Sequence, residues 1–303
     1  INCLNSIEEQ DFPKGNFEVI VVDDGSTDNT GIYIQEHLKK MHFENKLIFQ
    51  EHFGPGIARN IGVQNSNGNI LAFTEDDVIL QKKWLLNGTK YFIDRSIHSV
   101  EGVTKNIETG KPIRKFDDDS FVSFIPCNIM FRKDVFEKLG GYSGEFFDKK
   151  TSIFFREDIE LGFRFLETGC KIVIAEDMIV FHPQQHGNIK AIYNHAKRYF
   201  FDPLLFEKHP KYFRKMIEVK KIGELTIKRP THYLSVLSVI FILMAVFLNK
   251  IFILFYLLTI GILSLKFKVK NIIKFVGILP FPLLYFWSFL MGCFRFKSFR
   301  ALI

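Results

Sequence analysis

The first third of the chain contains two short and almost unbroken apolar runs, and each of them stops at a group of acidic side chains. Residues 17–22 and residues 70–73 are rich in aliphatic, β-branched and aromatic residues. Such runs, with no polar face, are typical of strands that are covered on both sides, as in a parallel sheet. The acids that follow them are Asp23, Asp24, Glu75, Asp76 and Asp77.

Helical patterns lie between and after these runs. We predict helices at residues 30–40, 58–64, 82–94, 132–139 and 156–169. The order of strand and helix patterns suits an open α/β sheet. In such sheets ligands bind outside the carboxyl ends of the strands, which is where both acidic groups lie.

The three consecutive acids Glu75, Asp76 and Asp77 repel one another, and no core accepts them without a partner. A divalent cation is a suitable partner. Mg²⁺ and Mn²⁺ take carboxylate oxygens as ligands and are often completed by substrate phosphates. The alternative interpretation is a solvated acidic turn.

The acids that follow the first run also have a structural interpretation. Gly25 allows a turn behind Asp23 and Asp24, and Ser26 or Thr27 would cap the following helix. Two strands that both end in paired acids are nevertheless a more specific pattern than either end alone.

Three charged side chains lie near predicted helix starts. A cation such as Arg59 is unfavourable in a first helical turn unless it serves another group, and a nucleotide and a structural salt bridge are the two interpretations. Glu157 and Asp158 lie in the first turn of the helix at residues 156–169. They either compensate the helix dipole or supply a catalytic general base.

The same helix predicts its own packing. Ile159, Phe163 and Leu166 fall on one face and should anchor it against the core. Glu160 and Arg164, four residues apart, are predicted to form a solvent-facing pair.

The middle of the chain predicts a hairpin around Thr109, between strands at residues 100–107 and 111–116. The acidic run at residues 117–119 follows no apolar strand and is predicted to be a solvated loop. Two short strands are predicted at residues 171–174 and 178–181. His182 comes directly after them, either as a structural residue or in contact with a metal ion or phosphate.

The composition changes near residue 188. Residues 188–229 mix many lysines and arginines with aromatic residues, which suits an interface with anionic lipid. Three apolar stretches follow at residues 233–248, 251–265 and 272–294, and we predict membrane-associated helices for them, the second being short for a span. A solvated basic face and a buried soluble bundle are the alternatives. Nucleic acid is disfavoured as a partner, because no nucleic-acid-binding motif accompanies the basic segment.

The predicted domains are therefore residues 1–187, 188–229 and 230–303. Lys228 and Arg229 precede the first apolar stretch and predict a cytoplasmic first domain by the positive-inside rule. Cations after the third stretch disagree with three full crossings, and a re-entrant or interfacial third stretch is the alternative. Neither the net charge of +7 nor the four scattered cysteines narrows the choice of partner.

Six sequence blocks, taken in order, resemble a family 2 glycosyltransferase with the GT-A fold, over roughly residues 2–182. They read VVDDGSTDNT, GPGIARNIGV, LAFTEDDV, PCNIMFRKDVFEKLGGY, REDIELGFRF and VFHP. The resemblance implies a nucleotide-sugar-binding fold with a mostly parallel central sheet flanked by helices. The family's first strand is not found ahead of residue 2, so we expect the sequence to lack its true N-terminus.

The resemblance also implies residue roles. Asp23 and Asp24 match the acidic strand end that contacts the nucleotide base or ribose, and Arg59 matches a basic position near the base. In the D-x-D-like site, where Glu75 replaces the first aspartate, Asp76 would contact the ribose and Asp77 would bind the metal.

The remaining roles concern catalysis. Asp158 matches the catalytic carboxylate of the family, with Glu157 as the competing candidate. His182 matches a position that approaches the metal or the diphosphate. The cofactor implied is Mg²⁺ or Mn²⁺.

The function implied is an inverting transfer of a sugar from a nucleotide-diphosphate donor, such as a UDP- or GDP-sugar, to a lipid-linked or polysaccharide acceptor. A processive polysaccharide synthase is the first alternative, although its usual Q-x-x-R-W motif is not found. An inactive nucleotide-sugar-binding scaffold is the second alternative.

Overall fold

The structure is a computed structural model that describes residues 1–113, 124–183, 188–217, 219–222, 225–267, 269 and 272–302. The chain divides into two compact units, Ile1–Gln184 and Gln185–Ile303. The acidic run predicted as a loop at residues 117–119 lies outside the described residues. The second strand of the predicted hairpin is described only as far as Ile113.

The first unit alternates helices and strands along most of its length. Its helices are α1 (Asn2–Glu8), α2 (Thr30–Leu38), α3 (Pro55–Gln64), α4 (Trp84–Thr89), α5 (Lys133–Lys138) and α6 (Glu157–Glu167). Its strands are β1 (Glu18–Asp23), β2 (Glu44–Phe49), β3 (Ile70–Phe73), β4 (Ile79–Leu80), β5 (Ile97–Asn106), β6 (Ile129–Arg132), β7 (Phe147–Asp148), β8 (Ile153–Phe154) and β9 (Lys171–His182).

The largest sheet of this unit has five strands in the order β3-β6-β5-β9-β4, and β1 and β2 form a separate parallel pair. Within the five-stranded sheet only β5 and β9 run parallel, and the other three pairs are antiparallel. The predicted α/β class is confirmed, but the expectation of a mostly parallel sheet is wrong. An unbroken apolar run reports burial on both faces of a strand and carries no information on strand direction.

Strand β9 combines the two strands predicted at residues 171–174 and 178–181. Its pairing with β5 is interrupted where Gly102 faces Ala175 and the next residue, Val103, faces Ile179. Gly102 is required here, because a Cβ atom would collide with the Met178 carbonyl and the Asn128 side chain. The irregularity carries β9 onward to its last residue, His182.

Helix α6 packs differently from its predicted pattern. Leu161 and Phe165 join an aromatic core cluster and Phe163 is fully buried, whereas Ile159 and Leu166 are only half-buried. The prediction of a solvent-facing Glu160–Arg164 pair is also wrong.

Glu160 is buried and binds the Arg164 guanidinium at 2.7 and 2.9 Å. The same guanidinium donates to the carbonyls of Leu139 and Gly141 just beyond α5. The pair therefore ties α6 to the end of α5, where Gly140 and Gly141 adopt left-handed backbone conformations.

The second unit is mainly helical. Its elements are α7 (Ile189–Arg198), α8 (Asp202–Lys208), α9 (Pro210–Met216), β10 (Val219–Ile222), β11 (Leu225–Lys228), α10 (Pro230–Phe247), α11 (Phe252–Lys266), α12 (Ile272–Ile278) and α13 (Phe281–Phe296).

Two helical stretches among the described residues are long and apolar enough to cross a membrane: Pro230–Phe247, and Lys274–Phe296 with its break at Pro280. Helix α11 is shorter, as predicted. In the α10–α11 hairpin one side of the end near residues 231–238 and 259–264 is buried, whereas Tyr233, Leu237 and Ile262 are exposed there. The tip, including Phe247, Leu248 and Ile251, exposes its apolar side chains.

Candidate functional site

The carboxylates at the end of β1 are held by donors from the chain itself. Asp23 accepts a hydrogen bond from the Ser26 amide at 2.7 Å. Asp24 accepts four, two on each oxygen. These come from Gln50 Nε2 and the Phe53 amide on Oδ1, and from His52 Nδ1 and the Gly54 amide on Oδ2, all at 2.6–2.9 Å.

Through these hydrogen bonds Asp24 fixes the loop between β2 and α3. The helix after β1 begins at Thr30, so neither Ser26 nor Thr27 caps it, and that capping prediction is wrong. The predicted contacts of Asp23 and Asp24 with a nucleotide stay predictions.

The acids after β3 have a different environment. Glu75, Asp77 and His182 each place one ligand atom within 4.8 Å of the other two, and they are the group found among the described residues that could hold a metal ion. His182 Nε2 lies 3.8 Å from Glu75 Oε2 and 3.7 Å from Asp77 Oδ1. The pairing of β4 with β9, in which Ile79 faces Phe181, brings these sequence-distant residues together.

The geometry of this group fits a divalent cation. Nδ1 of His182 lies 2.7 Å from the Pro183 carbonyl, which can only accept, so Nδ1 carries the proton. In the neutral ring the Nε2 lone pair is then directed to Glu75 and Asp77, the arrangement of many metal-binding histidines. Two carboxylates and one imidazole suit Mn²⁺ or Mg²⁺.

Asp76 does not join this group. Its side chain is exposed, and it lines a cleft of about 340 Å³ together with Asp77, Ile107 and Pro183. The cleft therefore begins at the candidate cation site and has the acid predicted to contact a ribose on its wall.

Arg59 binds the carboxylate of Glu75. Its Nη2 donates to Glu75 Oε1 at 3.0 Å, and its guanidinium lies over the Tyr142 ring at 5.4 Å. The salt-bridge interpretation of Arg59 therefore holds. Its other terminal nitrogen, Nη1, is buried and has no hydrogen-bond partner. A buried donor of this kind normally has an acceptor, and a bound phosphate would supply one.

The pKa of the Glu75 carboxyl is shifted by its burial and by the charged groups around it. Burial raises the pKa of its carboxyl above the ordinary value. The neighbouring charges of Asp77 and Asp158 also raise it, whereas Arg59 and His182 lower it. Asp158 is therefore close enough to Glu75 to affect its carboxyl electrostatically.

The two candidate bases at the start of α6 face different surroundings. Glu157 is buried and lines a small cavity with Gly54, Pro55 and Phe146, behind the start of α3. Asp158 is half-buried, accepts from the Ile159 amide at 2.7 Å, and acts on Glu75. This electrostatic effect on Glu75 favours Asp158 over Glu157 as the candidate base.

Two residues near the site were missed by the sequence analysis. The Cys127 thiol is buried, which raises its pKa to about 12, and the charges of Glu75 and Asp77 add to that rise. Tyr142 stacks under Arg59 and is held by two hydrogen bonds between its backbone and the Asn60 amide. Nothing in the sequence pattern signals either contact, since both join segments that are far apart in the chain.

Comparison with known families and proteins agrees with the predicted fold. Residues 1–140 match the family model described as glycosyl transferase family 2. Glycosyltransferase AglE of Haloferax volcanii is 28% identical over 196 residues, 60% of this chain and 61% of AglE. The Staphylococcus aureus poly(ribitol-phosphate) beta-N-acetylglucosaminyltransferase TarS is 36% identical over 91 residues, 30% of this chain and 16% of TarS. The chain thus spans less than two thirds of either relative.

Solved structures show the same likeness. Residues 1–349 of S. aureus TarS in complex with UDP match with a TM-score of 0.50 at 17% identity, covering 97% of this chain and 86% of that one. GalNAc-T7 with UDP, GalNAc and Mn²⁺ matches with a TM-score of 0.52 at 16% identity, covering 71% and 53%. At these identities the likeness shows the fold alone, and the predicted α/β fold of the GT-A type is confirmed.

Proposed function

We propose that this chain, whose residues 1–140 match the family model described as glycosyl transferase family 2, transfers a sugar from a nucleotide-diphosphate donor to an acceptor hydroxyl and inverts the sugar carbon. The acceptor class we propose is a lipid-linked or growing polysaccharide. A divalent ion, Mn²⁺ or Mg²⁺, is the proposed cofactor.

The observation that carries this proposal is the group formed by Glu75, Asp77 and His182, with the unpartnered Nη1 of Arg59 behind it. A nucleotide-sugar needs its diphosphate charge neutralised before the sugar can leave. A cation held by these three side chains would supply Lewis-acid stabilisation of that charge. Arg59 would add a charge-assisted hydrogen bond to a phosphate oxygen through Nη1.

The proposed base is Asp158. As the acceptor oxygen forms its bond to the sugar carbon, the bond from that carbon to the phosphate oxygen breaks, and the nucleoside diphosphate leaves with the electron pair. The acceptor proton passes to the Asp158 carboxylate. The position of Asp158 at the N-terminus of α6 favours its charged form, which is the form that accepts a proton. One base with no second nucleophile agrees with inversion.

The donor contacts proposed for Asp23, Asp24 and Asp76 have unequal support. Asp76 lies exposed on the cleft wall beside Asp77, where a ribose hydroxyl could reach it. The two β1 acids already accept hydrogen bonds from the chain. A contact of these two carboxylates with the base or ribose would therefore have to form in addition to those hydrogen bonds.

Relatives and composition support a membrane location for the transfer. TarS acts on a poly(ribitol-phosphate), by its name. The two long apolar helical stretches of the second unit, with basic residues beside them, favour attachment to a membrane surface. We propose that the first unit faces the cytoplasm, where Lys228 and Arg229 would also lie.

The direct test is donor binding by the full-length chain in lipid nanodiscs. Calorimetric titration with a panel of UDP- and GDP-sugars, with Mn²⁺ and then with EDTA, should give binding that requires the cation. Release of free nucleoside diphosphate in the presence of Mn²⁺ should accompany binding for the correct donor, even without acceptor.

Two results would contradict the proposal. Absence of binding by every donor in the panel, with the fold intact by circular dichroism, would reject the nucleotide-sugar assignment. Tight, cation-dependent binding with no turnover in the presence of membrane-extracted acceptors would instead favour the inactive scaffold.

A further inference from the structure

Helix α13 has two apolar faces that lie on opposite sides of it. The buried face is formed by Phe281, Tyr285, Phe289 and Cys293. The exposed face is formed by Leu283, Trp287, Met291 and Phe294. Both sets follow the helical period, so one stripe is covered by the unit itself and the other is open.

The covered stripe packs closely on the chain before it. The Tyr199 ring lies 4.3 Å from that of Tyr285, and Phe200 lies 5.2 Å from Phe296. The Phe200 carbonyl sits against Gly292, where any side chain would collide with it. Close packing of this kind fixes the position of the Tyr199–Phe201 turn against α13.

Helix α7 continues this contact along α12. The Tyr193 hydroxyl donates to the Gly277 carbonyl at 2.5 Å, and Ile189 fills the space beside Gly277. Residues 281 to 296 of α13 span about 22 Å at 1.5 Å per residue. The contacts of residues 189–201 extend from Gly277 at the end of α12 to Phe296 at the end of α13.

The outer surface of this covering layer is polar and basic. Helices α7, α8 and α9 expose one acid, Glu207, and several cations. The exposed cations are Lys190, Lys197, Lys208, Lys211, Arg214 and Lys215. If α12 and α13 crossed the bilayer, Lys190, Asn194 and Lys197 would be carried into hydrocarbon, where charged side chains are costly.

We propose that α13 lies in the plane of the membrane interface, with the Leu283–Trp287–Met291–Phe294 stripe in the acyl region of one leaflet and α7–α9 on its aqueous side. This rests on the membrane attachment proposed above and is independent of glycosyl transfer. The exposed cations Arg295, Lys297 and Arg300 follow the stripe and would bind anionic headgroups.

The apolar hairpin α10–α11 indicates that lipid covers the open stripe of α13. Its base packs on α13, with His232 4.7 Å from Phe289 and Phe267 4.8 Å from Phe281. Apart from Asn249 and Lys250, its tip is apolar and exposed, so the covered stripe of α13 carries an element suited to insertion. An interfacial α13 also keeps Arg295, Lys297 and Arg300 on the same side as Lys228, which three full crossings would not.

The test uses the protein's own tryptophans. The chain has two, and Trp84 is buried in the first unit, so Trp84→Phe leaves Trp287 as the single reporter. The full-length chain is reconstituted in phosphatidylcholine–phosphatidylglycerol vesicles containing lipids brominated at different depths. Quenching should place Trp287 more than about 5 Å from the bilayer midplane.

A crossing helix predicts a different depth. Trp287 lies near the middle of residues 274–296, so it would come within about 3 Å of the midplane. A matched variant carries Trp84→Phe, Trp287→Phe and Phe255→Trp, which moves the reporter to the exposed face of α11. Its tryptophan should lie deeper than Trp287. A Trp287 at the midplane overturns the proposal. A Trp287 shielded from acrylamide but not quenched by any brominated lipid also overturns it, in favour of a protein partner or a second copy.

A second measurement determines on which side of the membrane two exposed positions lie. In a Cys170→Ser background the other three thiols are buried. Single cysteines from Lys297→Cys and from exposed Lys40→Cys should then react with a membrane-impermeant maleimide from the same side of sealed vesicles. Reaction of the two positions from opposite sides would overturn the interfacial placement.

Discussion

The carboxylates at the end of β1 and those after β3 differ in the groups that neutralise them. Asp24 accepts two hydrogen bonds on each oxygen from neighbouring loop residues. Glu75 and Asp77 instead face each other, with one arginine and one imidazole nearby. The first group is satisfied by the chain, whereas the second keeps oxygens free to bind a cation.

A repeated acidic motif can therefore have two physical roles. A carboxylate filled by backbone and side-chain donors stabilises a loop and has little remaining capacity for a ligand. A carboxylate beside like charges is destabilising until a cation arrives. The availability of local N–H donors, and not the acids themselves, separates the two cases.

The largest expected effect concerns the base that would act beside the cation group. Asp158→Asn keeps the shape of the side chain and removes its basicity. We expect the turnover number to fall by about 10²–10⁴-fold with donor affinity nearly unchanged, the usual contribution of a positioned base. Steady-state transfer assays and calorimetry on the same preparation measure both quantities.

Glu157→Gln is the matched control, because Glu157 precedes Asp158 but lines a different cavity. Its turnover should stay within a few-fold of the unchanged protein. If Glu157→Gln loses turnover while Asp158→Asn retains it, the base is Glu157 and the assignment of Asp158 fails.

The next effect concerns the cation itself. Asp77→Asn removes one of three ligands, and we expect Mn²⁺ affinity to fall by more than about 10-fold, since changes to outer-shell partners alone cost 10–100-fold. Asp76→Asn should leave Mn²⁺ affinity unchanged, because Asp76 lies outside the group. Electron paramagnetic resonance of Mn²⁺ without donor measures both. Equal losses in the two variants would mean that the ion is held by a different set of acids.

The same kind of change should move stability in opposite directions at the two strand ends. Asp24→Asn places an amide NH₂ against two of its four donors, and we expect it to lower the free energy of unfolding by about 2–3 kcal/mol. Asp77→Asn relieves repulsion and should leave metal-free stability unchanged or slightly higher. Chemical denaturation in EDTA tests the pair. A loss at Asp77 as large as that at Asp24 would contradict the comparison.

The smallest effect concerns the turn behind Asp24. Gly25 has a φ of +82°, and a Cβ atom there would lie 2.8 Å from the His52 amide nitrogen. Gly25→Ala should cost about 2 kcal/mol of stability. Gly110, with φ +65° and open space around it, is the control, and its alanine variant should cost about 1 kcal/mol. Thermal unfolding separates them, and equal costs would show that the turn tolerates a side chain.

Strands and helices with a strong local pattern were predicted well. The apolar runs that became β1 and β3 identified both strands from local pattern, although most of their residues are only half-buried and Ala72 is exposed. Glu160 and Arg164 show the limit. Their four-residue spacing is the same for an exposed pair and for a buried one, and only the distant carbonyls of Leu139 and Gly141 decide between them.

The candidate site shows the same limit more strongly. The acids after β3 stood out because consecutive like charges need a partner. The placement of His182 beside Asp77 depends on sheet pairing across most of the unit, and no spacing rule supplies it. Its expected role came from its place directly after a strand and from the family resemblance. Tyr142 under Arg59 had no signal at all.

The interrupted pairing of β5 and β9 makes strand length a determinant of the cation site. Because side chains alternate along a strand, removing one residue between Ala175 and His182 would turn the imidazole to the opposite face. Gly102, Asn128 and Met178 lock the interruption in place. A single-codon deletion in this short stretch would therefore damage the site more than most substitutions in it, whereas the loop ends beyond the sheet can change length without that penalty.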